Sequence, residues 1–163
     1  MSETSPNTKS GAADDEALFA VITEIFNARI PFNKVLGLQV AAVGYDRVKI
    51  VFNMRDELIG NYMRGTLHGG VISSVIDVTG GLAAFMGLQR RMSDKHLEAK
   101  LARFGRLGTI DLRVDYLRPG LGRSFVCSGY TLRTGNKVAV TRIELSNDQK
   151  ELIAVGTGSY IVA

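Results

Sequence analysis

Hydrophobic positions along this chain fall into two periods. Leu18, Val21, Ile22 and Ile25 recur at i, i+3, i+4 and i+7, the spacing that gathers apolar side chains on one face of a helix. Asp14 or Asp15 is placed to cap that helix and Pro31 to stop it. Two strands follow, at residues 36–43 and 47–54. In the second, Val48, Ile50, Phe52 and Met54 alternate with Arg47, Lys49 and Asn53, and Gly44-Tyr45-Asp46 turns between the two. Residues 55–67 read as a loop. From about 70 to 88 the chain is almost wholly apolar, the pattern of a helix buried on all sides. Residues 89–106 form a second helical stretch with Leu97, Leu101 and Phe104 on one side. The clearest alternation in the chain is Ile110, Leu112, Val114 and Tyr116 against Thr109, Asp111, Arg113 and Asp115. Strands at 124–132, 137–145 and 152–162 complete the order, separated by Arg118-Pro119-Gly120, Arg133-Thr134-Gly135-Asn136 and Asn147-Asp148. Short turns predict that consecutive late strands are antiparallel neighbours. The order predicts an α+β fold, an antiparallel sheet wrapped around one long central helix.

Composition narrows the class. The chain has 163 residues, 45% of them hydrophobic and 22% charged, which is one ordinary globular domain. Its polar first 13 residues lack signal-peptide order and read as a disordered leader, with residues 14–163 a single domain. The apolar stretch 71–88 is long enough to span a membrane. It carries Asp77, Ser73, Ser74 and Thr79, so a buried helix is the better reading and a cytoplasmic location the default. One cysteine excludes a disulfide framework, and two histidines without a Cys cluster make a metal site improbable. Charge is uneven: residues 1–25 hold five acids and one base, a net −4, whereas residues 26–163 hold 19 bases and 11 acids, a net +8. The body therefore suits an anionic ligand.

The candidate chemistry lies in Gly65-Thr66-Leu67-His68-Gly69-Gly70-Val71-Ile72-Ser73-Ser74-Val75-Ile76-Asp77. Glycines at a helix start let backbone approach a ligand closely. The unpaired first-turn N–H groups there carry partial positive charge, suited to a carbonyl oxygen that gains negative charge in acyl transfer. Asp77 is the only charged residue between 70 and 88. A carboxylate among Val75, Ile76, Val78 and Leu82 is costly unless solvated or paired, and suggests a general base or nucleophile at a cavity wall.

His68-Gly69-Gly70, six further residues, then Asp77 resembles the motif of PaaI-type hotdog-fold acyl-CoA thioesterases. Pro31-Phe32-Asn33, Gly108 to Gly120 and Gly135-Asn136-Lys137-Val138-Ala139-Val140 look, within that family, most like the YigI group of medium- and long-chain acyl-CoA thioesterases. The resemblance covers about residues 14–162. It implies a hydrolase of fatty-acid metabolism that releases free fatty acid and CoA without a separate cofactor. The Gly70 amide would then polarise the thioester carbonyl and Asp77 would activate water or attack directly. His68 would help to position the thioester or the loop, and Asn61 would hold the water or substrate. The resemblance also implies a homodimer or homotetramer with its sites between subunits.

CoA phosphates need fixed positive charge. The resemblance points to the turn at Arg133, Gly135, Asn136 and Lys137, with Arg118 a second candidate and Gly69 beside the substrate. The basic segment 89–106 is read as a solvated amphipathic helix packed by Leu97, Leu101 and Phe104, with a lid over the acyl tunnel or a surface for anionic partners as the alternatives. Cys127 reads as a packed thiol, and Ser73 and Ser74 as helix-packing residues. Competing functions are a non-catalytic acyl-CoA-binding module and another acyl-thioester enzyme such as a hydratase. A nucleic-acid partner is disfavoured, because no basic strand face carries interleaved aromatics.

Overall fold

The computed structural model describes residues 8–92 and 96–163; the start of the expected leader and residues 93–95 of the basic segment lie outside the described residues. Helix α1 spans Thr8–Glu24. It begins well before Asp14, because residues 8–13 contain no helix breaker stronger than a glycine. Asp15 is consequently not a cap. It accepts a hydrogen bond from the Tyr45 hydroxyl and faces Lys100 Nζ at 3.8 Å. A π-helical turn, Ile25–Arg29, leads to α2, Pro31–Leu36. Pro31 therefore starts a helix as well as ending one: its missing N–H costs nothing at the first helical position. Gly37, in the left-handed region at φ 69°, closes α2.

The expected first strand shortens to β1, Gln39–Ala42, and pairs with β2, Val48–Asn53. Val48, Ile50 and Phe52 are buried, as their alternation predicts. The expected loop contains a 3-10 turn, Asp56–Leu58, and a small two-stranded sheet of β3, Ile59–Asn61, and β4, Thr66–Leu67. Helix α3 then runs from Gly69 to Arg90. It is long and apolar enough to cross a membrane by length and composition alone, but two thirds of its most apolar stretch, 67%, is buried within the chain. Beyond it come the short α4, Leu97–Ala102, and a 3-10 turn, Phe104–Arg106. The expected helix over 89–106 is thus broken up.

The long strands are β5, Gly108–Tyr116; β6, Ser124–Thr134; β7, Val138–Asn147; and β8, Leu152–Ile161. They join β1 and β2 in one antiparallel sheet ordered β1-β2-β6-β7-β8-β5. One expectation fails here. β5 and β6 are not neighbours; the Pro119-Gly120 segment carries the chain from the β5 edge to the middle of the sheet, and β5 pairs with β8 instead. The sheet closes over α3. Val75, Ile76, Leu82, Phe85 and Met86 meet Phe125, Cys127, Ile143, Leu145 and Ile153 in one core. Each such side chain contributes about 1.5–3 kcal/mol on burial. The antiparallel sheet around a central helix is the α+β hotdog arrangement that the resemblance implied.

Candidate active site

Helix α3 opens on His68, whose Nδ1 accepts the Gly70 N–H at 2.8 Å. His68 is therefore the N-cap, an acceptor that takes one of the orphan amide donors of the first turn. Two backbone contacts fix its place: the His68 N–H donates to Leu58 O at 2.8 Å and the Leu67 N–H to Gly120 O at 3.0 Å. The β3 backbone passes flush against it, since a Cβ on Gly60 would lie 2.6 Å from His68 Cα. Tyr116, at the end of β5, donates from its hydroxyl to Gly69 O at 3.1 Å. The Ser73 and Ser74 hydroxyls donate to Gly70 O at 3.1 and 2.7 Å. The Gly70 amide, which the resemblance assigns to the thioester carbonyl, is thus held by His68 in the single chain.

Asp77 lies two turns further on and is half-buried. Thr109 Oγ1 donates to its Oδ1 at 2.9 Å. The Tyr160 hydroxyl sits 3.1 Å from the Asp77 carbonyl oxygen and 3.2 Å from the same Oδ1. Burial first, then the Asp77 charge, pushes the Tyr160 phenol far above its ordinary range, so it stays a donor. The cost of placing a carboxylate on an apolar helix is met by these two hydroxyls and by partial solvation. Both bonds converge on Oδ1, which leaves Oδ2 for a water or a substrate.

Asp77 separates two unlike spaces. On one side is a cavity of about 200 Å³ walled by Phe26, Ile30, Phe32, Phe104 and Leu107, with Asp77, Thr109 and Tyr160 at its edge. On the other is a shallower cavity of about 240 Å³ lined by Ser73, Ser74, Asp77, Thr109 and Leu112. Ser74 also belongs to a third, of about 370 Å³, with Glu57, Ile59, His68 and Gly70. Gly70, Ser74, Asp77 and Gly81 recur at i, i+4, i+7 and i+11, so one face of α3 links all three. The apolar side is formed by segments remote in sequence. Phe104 packs edge-on against Phe26 at 5.8 Å and Phe85 at 5.6 Å. The segment after α3 is therefore a packed wall of this cavity rather than only a solvated helix. Asn33 lines the cavity as well. Its Nδ2 donates to Phe26 O at 3.0 Å, while Oδ1 is buried with no partner among the described residues. An orphaned acceptor of that kind costs about 1–3 kcal/mol.

The other expected residues do not converge on this face. Asn61 is exposed, and its Oδ1 accepts the Met63 and Arg64 N–H groups at 3.2 and 3.3 Å, closing a tight turn. Arg118 Nη1 donates to Leu152 O at 2.9 Å. Arg133 belongs to β6 rather than to the turn. Gly135 and Asn136 line a cavity of about 220 Å³ together with Leu88, Arg91, Met92 and Arg103, and Lys137 follows them in the turn. Leu88 lies 18 residues beyond Gly70, about 27 Å along the helix. The expected phosphate-binding turn and the Gly70 amide therefore sit at opposite ends of α3 within one chain. Arg91 braces that turn, donating to Thr134 O at 2.9 Å and Asn136 Oδ1 at 3.0 Å. Cys127 is fully buried, and burial pushes its thiol up to about 12. It is packing, not a nucleophile.

A model of the Thioesterase superfamily matches residues 64–154, more than half of the chain. The chain belongs to the thioesterase superfamily. Membership fixes the class of chemistry as thioester hydrolysis. The chain is 40% identical over 147 residues to the medium/long-chain acyl-CoA thioesterase YigI of Salmonella typhimurium, covering 90% of this chain and 95% of that protein. Among solved structures it is similar to a thioesterase-superfamily-related protein of Shewanella oneidensis, at 45% identity and a TM-score of 0.88, covering 91% of this chain and 97% of the other. It is also similar to a protein of Syntrophus aciditrophicus described as a candidate thioesterase, at 62% identity and a TM-score of 0.84, covering 93% and 99%. In this superfamily member, sequence reading missed Thr109 and Tyr160, the two donors to Asp77. Thr109 carried a signal of a kind, a hydroxyl on the polar side of the clearest alternating strand. Tyr160 carried none.

Proposed function

We propose that the chain hydrolyses medium- to long-chain acyl-CoA, with Asp77 as general base or nucleophile. The observation that carries this is the position of Asp77, held by two hydroxyls where an apolar cavity meets a polar one. The acyl chain occupies the space walled by Phe26, Phe32 and Phe104, and the thioester lies at Asp77. In the water-activating form, Asp77 takes a proton as the water oxygen bonds to the carbonyl carbon. Backbone N–H groups at the start of α3 stabilise the resulting oxyanion. Collapse breaks the carbon–sulfur bond, and the proton returns to the departing thiolate to give CoA and a carboxylic acid.

Two features favour a site built from two copies. Gly70 and Asp77 are seven residues apart, about 10.5 Å along the helix axis. A nucleophile must come within about 3.5 Å of the carbon, and an oxyanion donor within about 3.1 Å of the oxygen. One thioester therefore spans no more than roughly 8 Å between the two groups, so a single chain serves both only through the lean of the Asp77 side chain toward the N-terminus, a constraint that Gly70 of a second copy removes. The second feature is β5 itself, which forms one edge of the sheet and leaves Ile110, at a bulge, 57% and Tyr116 54% exposed. The same arrangement brings the cations at Arg118, Arg133 and Lys137 to a CoA lying across the interface, which the turn at 135–137 cannot reach from its own Gly70. His68 then acts as a cap that yields the Gly70 N–H to the substrate carbonyl. Asn61 shapes the turn that holds His68 in place.

The test is Asp77→Asn assayed by free-thiol release from a medium-chain acyl-CoA. Turnover is expected to fall by about 100-fold or more, with the thermal transition little changed. Near-normal turnover would remove Asp77 from the chemistry, and tight acyl-CoA binding without hydrolysis by the parent would favour a binding module instead.

A further inference from the structure

Resting on the thioesterase reading, we propose that Gly81 sets the acyl-chain length: its missing side chain keeps the cavity beside Asp77 open to aliphatic chains that run more than one helical turn past the thioester. Gly81 lies four residues beyond Asp77 on the same face of α3, about 6 Å further along the axis, and lines the same cavity. The polar groups Thr109 and Tyr160 of that cavity gather at Asp77, because both are bonded to its carboxylate. Beyond them, Asn33 apart, the wall is apolar and includes Phe26, Ile30, Val78, Phe104 and Leu107. A thioester held at Asp77 then sends its chain across position 81, toward that wall.

Packing does not require this glycine. Past its first turn α3 has three glycines, at 80, 81 and 87. A Cβ on Gly80 would collide with the Tyr160 hydroxyl, and one on Gly87 would lie 2.5 Å from Thr131 Cγ2. Neighbouring side chains therefore exclude a larger residue at both. Position 81 differs. Outside the helix's own backbone, and among the described residues, a Cβ there would meet nothing closer than Tyr160 Cε1 at 3.6 Å and Leu107 Cδ2 at 3.8 Å. Those are ordinary van der Waals distances. Tyr160 and Leu107 themselves line the cavity, so the direction left empty is into it. The backbone does not need glycine either: Gly81 is helical, with no positive φ, and glycine there weakens the helix relative to alanine. A residue that costs helix stability, that no neighbour demands and that faces a cavity of about 200 Å³ is explained by what passes in front of it.

Free-thiol release from saturated acyl-CoAs by the parent, Gly81→Ala and Gly81→Val tests this. The readout is the ratio of kcat/KM for dodecanoyl-CoA to that for hexanoyl-CoA, whose chain ends near position 81. It is taken within each protein, so a smaller folded fraction cancels. The ratio is expected to fall by about tenfold or more in Gly81→Val, since one methylene in an apolar pocket is worth about that much, and by less in Gly81→Ala. The Tm of Gly81→Ala is expected to stay level or to rise by about 2–4 °C, because alanine is the better helix former and the space is vacant. An equal loss on both chains in Gly81→Val would overturn the assignment, since it marks a displaced Tyr160 rather than a blocked path. A Tm lowered by several degrees in Gly81→Ala would overturn it too, by making the glycine a packing requirement. Hydrolysis by the parent with a ratio that neither substitution moves leaves the thioesterase reading standing while this one falls. No thiol release by the parent from either chain overturns both.

Discussion

Asp77 owes its place to residues that no local pattern connects to it. Thr109 reaches it from the start of β5 and Tyr160 from the end of β8, and the two strands are joined in register with Thr109 opposite Tyr160. A single cross-strand pair thus presents both donors to one carboxylate oxygen. The close approach also explains Gly80, because a Cβ there would lie 2.2 Å from the Tyr160 hydroxyl. If Tyr160 positions the carboxylate rather than touching substrate, Tyr160→Phe should lower kcat by about tenfold and leave KM nearly unchanged. Tm should fall by only a few degrees, since about 1–2 kcal/mol is expected from losing a buried hydroxyl's bonds. A comparable loss from Thr109→Val, with the double variant no worse than the poorer single one, would show the two hydroxyls acting as one unit. An unchanged kcat in Tyr160→Phe would reduce the tyrosine to packing.

Elements divide the labour differently from what hydropathy suggests. Helix α3 supplies the carboxylate and His68 its cap, while the apolar wall of the cavity beside Asp77 comes from the π-helical turn, α2 and the turn after α4. These flanking pieces are tied down through Lys100. It is 1% exposed, faces Asp15 on α1, and shares that carboxylate with Tyr45, whose hydroxyl burial and Asp15 push well above the ordinary phenol range. Lys100→Ala should cut this link between α1 and α4 and loosen Phe104 four residues later. Because Asp15 is 38% exposed, water compensates in part, and the expected loss is about 1–3 kcal/mol, below that for a fully buried pair. KM for long-chain acyl-CoA should rise more than kcat falls; an unaltered KM would separate α4 from the substrate cavity. Such ties explain what was legible in the sequence. The alternation of β2 and the all-round apolarity of α3 are local signals, and the structure carries them through. Asp77 was legible because a lone charge in an apolar helix needs a reason. The position of β5 at the edge and its pairing with β8 depend on a crossover that period-two patterning does not encode. The donors to Asp77 and the Phe26–Phe104 wall were illegible for the same reason: they are long-range contacts. In the basic run at 89–106 the apolar side was readable from Leu97, Leu101 and Phe104, but not its remote partners Phe26 and Phe85, nor the burial of the cation Lys100.

At the scale of the whole molecule, the question is how many chains make one site. The separation of Gly70 and Asp77 along α3 can be tested without knowing the oligomer in advance. Combine a chain carrying Asp77→Asn with one carrying Gly70→Pro, which deletes the amide donor in the first turn of the helix, where Pro is tolerated, and displaces the His68 imidazole, whose Nδ1 lies 2.9 Å from the new Cβ. Each variant alone should be severely impaired. Suppose Asp77 of one copy works with Gly70 of the other. A hybrid dimer then contains one site with both defects and one with neither, and it should recover about half of the parent turnover per dimer. Suppose instead that each chain builds its own site. Every site in the hybrid then carries one defect, and no activity returns. Co-expression with two different tags, purification through both, and thiol release from one acyl-CoA distinguish the cases. The exposed faces of Ile110 and Tyr116 on β5 give the hybrid an independent check. If β5 is the seam, charge placed on that face by Ile110→Asp should yield monomers and abolish the complementation, while leaving the Thr109 and Tyr160 bonds to Asp77 within each chain intact. Activity retained by such a monomer would return the whole site to a single chain, and the Gly70 amide would then have to serve a thioester from two helical turns away.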